Sequence, residues 1–137
     1  MVFVTLSNLC MNCPIDYEFD VQHRRVHVTY RSQPRFDEWE ETMATIFQDA
    51  RLDASFGILL DRREVPRAAS TDYIRRMVAF MDAKSEKLGP TPWAIVVTDL
   101  TSFGAGRMAE QLAQAAKIRT FRDFEQARGW LEAGAPD

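Results

Sequence analysis

The amino-acid sequence predicts an α/β fold in which an N-terminal β-hairpin precedes alternating strands and helices. Three observations predict it: apolar and polar residues alternate along residues 15–30, two short apolar runs follow (FGILL at 56–60 and WAIVV at 93–97), and apolar residues recur at helical spacing between them. Short apolar runs are typical of strands covered on both faces, and alternating strands and helices form mainly parallel sheets with right-handed crossovers. We expect a mixed sheet of four or five strands, flanked on both faces by four helices.

The first half of the chain changes from a strand period to a helical period. Residues 15–20 and 26–30 are the predicted hairpin strands, with a turn at 21–24. From Phe36 onward, apolar residues share one helical face, and acidic residues occupy the first turn, where carboxylates suit the positive end of the helix dipole. FGILL then forms the third predicted strand.

The second half repeats the alternation of helix and strand. After a polar loop at 61–69, Ser70 is a candidate N-cap for a helix that Gly89-Pro90 ends. WAIVV is the next strand and a helix follows over about 103–116. Residues 118–121 form a last short strand, and a final helix starts with Asp123 as its predicted cap.

Length and charge place this chain in a broad class. Its 137 residues fit one domain over 15–133, with an N-terminal arm at 1–14 and a loose tail at 134–137. A net charge of -3 argues against a general electrostatic grip on nucleic acid. No stretch approaches the roughly 18–20 apolar residues that cross a bilayer, and the N-terminus lacks a basic signal region. We expect a cytoplasmic protein without stable membrane insertion.

Residues 104–109 read G-x-G-x-x-A, close to the fingerprint of dinucleotide-binding loops. In those loops the glycines follow a strand almost at once, so that the helix N-terminus faces the pyrophosphate. Here residues 99–103 intervene, and Asp123, at the position of the ribose-binding acid, is better explained as a helix cap. We interpret Gly104 and Gly106 as allowing close packing of the helix start, and we expect no cofactor.

All cysteines and histidines of the chain form one spaced set, with the pattern C-x2-C-x9-H-x3-H over Cys10, Cys13, His23 and His27. Zinc accepts such ligands, but a zinc finger carries its two histidines on a helix, whereas these lie on the predicted hairpin. An unpaired thiol pair on a flexible arm is the preferred interpretation, and a metal or redox site is the alternative.

Parallel strands end at the same edge of a sheet, so the loops after FGILL and WAIVV should meet, and ligands of open α/β sheets bind at that edge. Seven candidate binding residues gather there: Asp61, Arg62, Arg63, Asp99, Ser102, Gly104 and Arg107. A solvated, salt-bridged face is the other interpretation of the charged residues.

No catalytic set emerges at this edge, because both histidines belong to the hairpin, which would have to fold over the edge to complete a triad. Asp61 and Asp99 form a conceivable carboxylate pair, with nothing in the sequence to indicate a raised pKa. We therefore expect no enzyme, with an uncharacterised hydrolase-type activity as the alternative.

Four segments together resemble the SpoIIAA-like family of small, STAS/Sec14-related bacterial α/β domains. They are the hairpin IDYEFDVQHRRVHVTYRS, FGILLDRREV, WAIVVTDLTSFGAGRMAEQLA with its D-x-x-x-F-G-x-x-R-M pattern, and IRTFRDFEQARGWL, so the resemblance covers about residues 15–131. It implies a four- or five-stranded sheet flanked by four helices. In the anti-anti-sigma members of this family, phosphorylation of a serine in the domain switches partner binding. The matching stretch at 60–66 has no hydroxyl group. The Sec14 connection implies an apolar lipid pocket.

The leading hypothesis for function is a non-enzymatic, STAS-like regulatory module that docks an unidentified protein partner through the loops at the carboxyl edge. The alternative is a binder of an anionic or amphipathic ligand, lipid-like or nucleotide-like, at the same edge. A homodimer is compatible with the open edges that small sheets leave.

Overall fold

The structure, a computed structural model, describes residues 13–89 and 91–137. Within these ranges the chain forms an α/β fold with a five-stranded mixed sheet and four helices. The elements follow in the order β1 (Ile15–Asp20), β2 (Arg25–Tyr30), α1 (Phe36–Gln48), β3 (Gly57–Asp61), α2 (Thr71–Leu88), β4 (Pro92–Val96), α3 (Leu100–Leu112), β5 (Lys117–Phe121) and α4 (Phe124–Glu132).

The strands lie side by side in chain order, from β1 at one edge to β5 at the other. Strand β1 pairs with β2 in antiparallel fashion, and the remaining neighbours are parallel. In the pairing of β3 with β4, Ile58 lies opposite Trp93 and Leu60 opposite Ile95. The prediction that FGILL and WAIVV are parallel neighbours is therefore confirmed, and the loops that follow them start from one edge of the sheet.

Three helices cover one face of the sheet and one helix covers the other. Helices α1, α2 and α3 each connect a strand to the next strand in the same direction across the sheet. Because such connections are right-handed, all three helices lie on the same face. Side chains from these three helices and from alternate strand residues such as Ile58 and Trp93 form the larger core. Helix α4 returns over the opposite face, where Trp130 packs with Leu59 and Val96 in a smaller core.

Helix α3 begins earlier than the sequence predicts. Asp99 is its N-cap, and the Asp99 Oδ2 accepts a hydrogen bond from the Ser102 backbone N–H at 3.0 Å. The glycines of the G-x-G-x-x-A segment therefore lie inside the helix rather than at its start, so the free N–H groups of the helix end precede them. The other two predicted caps differ: Ser70 caps α2 by accepting from the Tyr73 N–H at 3.2 Å, whereas Asp123 precedes α4 without a side-chain cap bond.

The C-terminal tail packs against the domain, so the expectation of a loose tail at 134–137 is wrong. Ala135 is buried, and the Trp130 Nε1–H donates to the Pro136 carbonyl at 2.9 Å. The reason is that a buried indole needs an acceptor and the tail carbonyl supplies it. Residues 1–12 of the expected N-terminal arm lie outside the described residues. Among the helices that the structure describes, none combines the length and apolar character needed to span a bilayer.

Candidate functional site

The seven residues predicted at the carboxyl edge do not form one site. Successive residues of a strand point to opposite faces of a sheet, and this alternation continues past the end of β3. Asp61 and Arg63 therefore contact the side covered by α4, whereas Arg62 lies among α2, α3 and the larger core. The edge thus carries two separate groups of polar residues, one on each face.

The first group is the Asp61 cluster, which consists of Asp61, Arg63, His27 and Phe124. The Asp61 carboxylate accepts hydrogen bonds from Nε and Nη2 of Arg63 at 2.9 and 2.8 Å, and its Oδ2 lies 3.1 Å from His27 Nε2. The ring of Phe124, the first residue of α4, lies against both partners: the Arg63 guanidinium carbon is 4.3 Å and the His27 ring centroid 5.6 Å from its centroid.

Asp61 stays ionised in this cluster. Burial alone would raise its pKa, but hydrogen bonds from Arg63 and His27 outweigh the burial and hold the pKa well below its usual range. An ionised carboxylate only accepts hydrogen bonds, so His27 carries its proton on Nε2. The charge of Asp61 is therefore compensated inside the chain, and Asp61 and Arg63 are occupied with each other rather than presented to a ligand.

His27 is the residue of this edge that sequence reasoning missed. We expected the hairpin to lie away from the edge, but β2 pairs directly with β3, which brings the His27 ring to Asp61 without any folding over. The Asp61 and Asp99 carboxylates do not act as a pair, because each has its own partners: Arg63 and His27 for Asp61, and the start of α3 for Asp99.

The Cys/His set does not assemble within the described residues. His23 Nδ1 lies 2.8 Å from Asp20 Oδ2 at the hairpin turn, whereas His27 belongs to the Asp61 cluster. In ranges 13–89 and 91–137, no three His, Cys, Asp or Glu side chains are placed to hold a metal ion. Cys10 lies outside these ranges. Cys13 is disulfide-bonded, so the expectation that it is an unpaired thiol is wrong.

The second group surrounds the Arg62 cavity, a cleft between the larger core, the start of α2 and helix α3. Its volume is about 30 Å³. The polar side chains that line it are Arg62, Tyr30, Tyr73 and Ser102. Its apolar wall includes Leu60, Ile74, Met77, Ile95, Ala105 and Ala109. The cavity is therefore mostly apolar, with its charge confined to one guanidinium.

Arg62 is buried, with 9% of its surface exposed. Its Nη2 donates to Gln33 Oε1 at 2.8 Å and to the Arg67 carbonyl at 2.9 Å, and its guanidinium carbon lies 4.9 Å from the centroid of the Tyr30 ring. No carboxylate of the described residues forms an ion pair with it. Residues 1–12 and 90, outside that part, include no aspartate or glutamate. Within the described residues Arg62 thus has no carboxylate at ion-pair distance.

Hydroxyl groups add hydrogen-bonding capacity to the cavity. Ser102 is 3% exposed, and its Oγ makes no hydrogen bond within the described part of the chain. Burial raises the pKa of Tyr73 above its usual range, so its hydroxyl keeps its proton and can donate. Ser102 lowers the pKa of Asp99, first through its nearby side chain and then through its backbone N–H, and the charge of Arg62 lowers it further from beyond ion-pair distance.

The last two predicted residues belong to neither group. Gly104 is exposed, and no atom lies within 4 Å of the position that a Cβ would take there. The Arg107 guanidinium is exposed and lies 3.5 Å from Glu110 Oε1. By contrast, Gly106 lines the Arg62 cavity and packs against Thr120, where an added Cβ would fall 2.4 Å from two side-chain atoms. The prediction that these glycines allow close packing of the helix is thus confirmed for Gly106 and wrong for Gly104.

Gln33, Tyr30 and Tyr73 were also missed as site residues. Tyr30 lies on β2, Gln33 in the connection from β2 to α1, and Tyr73 on α2, and no spacing in the sequence joins them. The strand alternation was an available signal, because Leu60 and Arg62 share one parity and Leu59, Asp61 and Arg63 the other.

Comparison of the chain with protein-family models, with curated proteins and with solved structures finds no match.

Proposed function

We propose that this chain is a non-enzymatic, STAS-like binding module and that the Arg62 cavity takes a small anionic or amphipathic ligand. One observation carries the proposal: the guanidinium of Arg62 is buried against an apolar wall, and no carboxylate of the described residues lies within ion-pair distance of it.

The energetics of burial support a ligand with negative charge. Removing an ion from water costs several kcal/mol, and the Gln33 and Arg67 oxygens offset this cost with partial charges only. The Tyr30 ring adds a cation–π contact, which is worth about 0.5–2 kcal/mol. A ligand anion would supply a counter-charge in direct contact with Arg62, which no carboxylate of the described residues does.

The position of the cavity is typical of ligand sites. It lies beside the carboxyl ends of β3 and β4, where open α/β sheets bind their ligands. Helix α2 and the segment at 62–70 form its rim, so movement of that segment would admit a ligand. A mostly apolar wall with a few convergent polar groups is the usual composition of a small-molecule site.

Thermal unfolding in the presence of a ligand panel tests the proposal. The panel contains monocarboxylates, inorganic phosphate, nucleotides and fatty acids, and a ligand at a hundredfold excess over its Kd should raise Tm by roughly 5–10 °C. The matched variants are Arg62→Met and Arg63→Met, which change adjacent arginines on opposite faces of the sheet. We expect the shift to vanish in Arg62→Met and to persist in Arg63→Met. A panel without any shift would refute the proposal.

A second candidate function is docking of a protein partner at the same edge, as the regulatory members of the resembled family do. It is favoured by an exposed stripe on α3, in which Leu100, Gly104 and Arg107 follow at helical spacing. Leu100 is 71% exposed, an unusual position for a large apolar side chain. The chemistry of the stripe suits a partner segment that is both apolar and acidic.

Pull-down from a cell extract tests the docking candidate with two matched variants. Leu100→Asp should abolish recovery of a specific partner, whereas Val21→Asp, which changes another exposed apolar residue at the hairpin turn, should leave it intact. Equal recovery with both variants would contradict docking through α3.

A further inference from the structure

We infer that the ligand of the Arg62 cavity is a short-chain monocarboxylate, bound with its carboxylate at Arg62 and its hydrocarbon chain between α2 and α3. The inference rests on the proposed function and narrows it to one chemical class. Charge, volume and hydrogen-bond capacity each limit that class independently.

The number of charges limits the ligand to a monoanion. Among the residues that the structure describes, Arg62 is the only cationic one that lines the cavity. A dicarboxylate or a phosphate monoester would bring a second negative charge into the apolar wall, where an unpaired charge is costly. The start of α3 does not supply the missing positive partner, because the Asp99 carboxylate accepts from its Ser102 N–H. Asp99 would instead repel a phosphate placed there.

The volume limits the length of the ligand. A cavity of about 30 Å³ holds about two water molecules, so a nucleotide or a whole lipid is excluded and even a short carboxylate enters only if the wall moves outward. Along the wall, Met77 is unbranched and only partly buried, so it can yield to one or two further methylene groups. The side chain of Ile74 is branched and that of Ala105 is a single methyl group, so neither can change its conformation as Met77 can.

The remaining hydrogen-bond donors suit a carboxylate. The Arg62 guanidinium has five N–H donors; Nη2 donates to Gln33 and to the Arg67 carbonyl, and the side chain also hydrogen-bonds Tyr30, so donors remain for ligand oxygens. The protonated Tyr73 hydroxyl lines the same cavity and adds a neutral donor, and the Ser102 hydroxyl, which lies near the Asp99 carboxylate, lines it too. Hydrogen bonds between the Arg62 guanidinium and a ligand carboxylate are charge-assisted and about twice as strong as neutral ones. The carboxylate end should therefore fix the orientation of the ligand.

Isothermal titration calorimetry of a chain-length series tests the inference. The probes are acetate, propionate, butyrate, hexanoate and octanoate, with succinate, inorganic phosphate and AMP as alternatives of other charge or size. Each methylene that contacts the wall should tighten binding, so Kd should fall from acetate to butyrate by about tenfold or more and rise again for octanoate. Succinate, phosphate and AMP should bind at least about tenfold more weakly than butyrate, which corresponds to the cost of a second charge or of excess volume.

Two variants assign the binding to the cavity. Arg62→Met should abolish butyrate binding, and Arg63→Met should retain it. Should Arg62→Met fail to fold, Ala105→Leu fills the cavity without changing any charge and should also abolish binding, whereas Gly104→Ala at the neighbouring exposed position should not.

The outcomes separate the inference from the proposed function. Tighter binding of phosphate, succinate or AMP than of butyrate, with loss in Arg62→Met, would overturn the monocarboxylate and leave an anion-binding module standing. If octanoate binds most tightly, the restriction to short-chain ligands would be wrong, and an anion-binding module would again remain. Butyrate binding that survives both Arg62→Met and Ala105→Leu would overturn the site. Absence of binding by every probe would overturn the inference and the proposed function together.

Discussion

Arg62 and Arg63 are neighbours in the chain but have opposite surroundings. Arg63 is partly exposed and pairs with the Asp61 carboxylate, whereas Arg62 is buried without an ion pair in the described structure. A buried charge with no opposite charge destabilises a fold, and residues of that kind are retained where binding requires them. At the scale of single residues, stability and ligand binding should therefore respond differently to the two arginines.

We predict that Arg62→Met leaves the free energy of unfolding unchanged or raises it, because an apolar side chain of similar length suits the apolar wall better than an uncompensated guanidinium. In contrast, Arg63→Met should lower the free energy of unfolding by about 1–3 kcal/mol, since it removes two hydrogen bonds to the buried Asp61 carboxylate. Urea denaturation of both variants, followed by circular dichroism, measures the difference. Greater destabilisation by Arg62→Met than by Arg63→Met would contradict the assigned environments.

The Asp61 cluster predicts a specific loss of stability in acid. The pKa of Asp61 is lower in the folded chain than in the unfolded chain, so its stabilising contribution is complete above the unfolded value of about 4 and is lost as the pH falls through the folded value. Replacing Asp61 by Asn should therefore reduce the dependence of the free energy of unfolding on pH below about pH 5. The control is Glu40→Gln on the exposed side of α1. An unchanged pH dependence in Asp61→Asn would show that the pairing is absent in solution.

At the scale of elements, α3 is held against β5 by one small residue. A Cβ at Gly106 would lie 2.9 Å from the Thr120 Cβ and closer still to its outer atoms, whereas Gly104 faces open space. We predict that Gly106→Ala lowers the free energy of unfolding by about 1–3 kcal/mol through overpacking. Gly104→Ala should raise it by about 0.5–1 kcal/mol through higher helix propensity. Chemical denaturation of the pair, together with the double variant Gly106→Ala/Thr120→Ala, separates the clash from helix propensity. Equal effects of the two single variants would contradict the packing.

The connection from α3 to β5 depends on a carboxylate from α2. Asp82 oxygens accept from the backbone N–H groups of Gln114, Ala115 and Ala116 at 2.8–3.2 Å. Asp82→Ala would leave these groups without their acceptor, so it should cost about 1–3 kcal/mol and expose the three amides to hydrogen exchange. The control is Glu86→Ala, an exposed carboxylate one turn later on the same helix. Unchanged protection of the three amides in Asp82→Ala would contradict this role.

At the scale of the whole molecule, the two cores differ in size. Core side chains on the face of α1, α2 and α3 come from all five strands, whereas the core under α4 rests on β3, β4 and β5. Less buried apolar surface gives a lower free energy of local opening. We predict that native-state hydrogen exchange finds α4 opening at a lower free energy than β3 and β4, with Trp130 fluorescence changing before that of Trp39 and Trp93. Simultaneous opening of α4 and the central strands would contradict this order.

The sequence predicts the fold well where a residue pattern has one physical interpretation. FGILL and WAIVV are too apolar to face water, so their central, parallel placement followed directly. The start of α3 was misplaced because Leu100 is exposed and does not continue the apolar stripe, and only the Asp99 cap bond shows where the helix begins. The candidate site was predicted as an edge but not as a cavity. Arg62 meets Tyr30, Gln33 and Tyr73 only through the order of strands and the packing of α2, which no spacing along the chain encodes.

The pleat of β3 has a consequence for how this chain can change in length. Deleting one residue between Gly57 and Asp61 would turn every later side chain of the segment to the opposite face of the sheet. The Arg62 guanidinium would then face α4, and the Asp61 carboxylate would face the larger apolar core. Deleting two residues would preserve parity. Length variation among homologues should therefore come in even steps within this strand, while the loops at its two ends remain free to vary by any number.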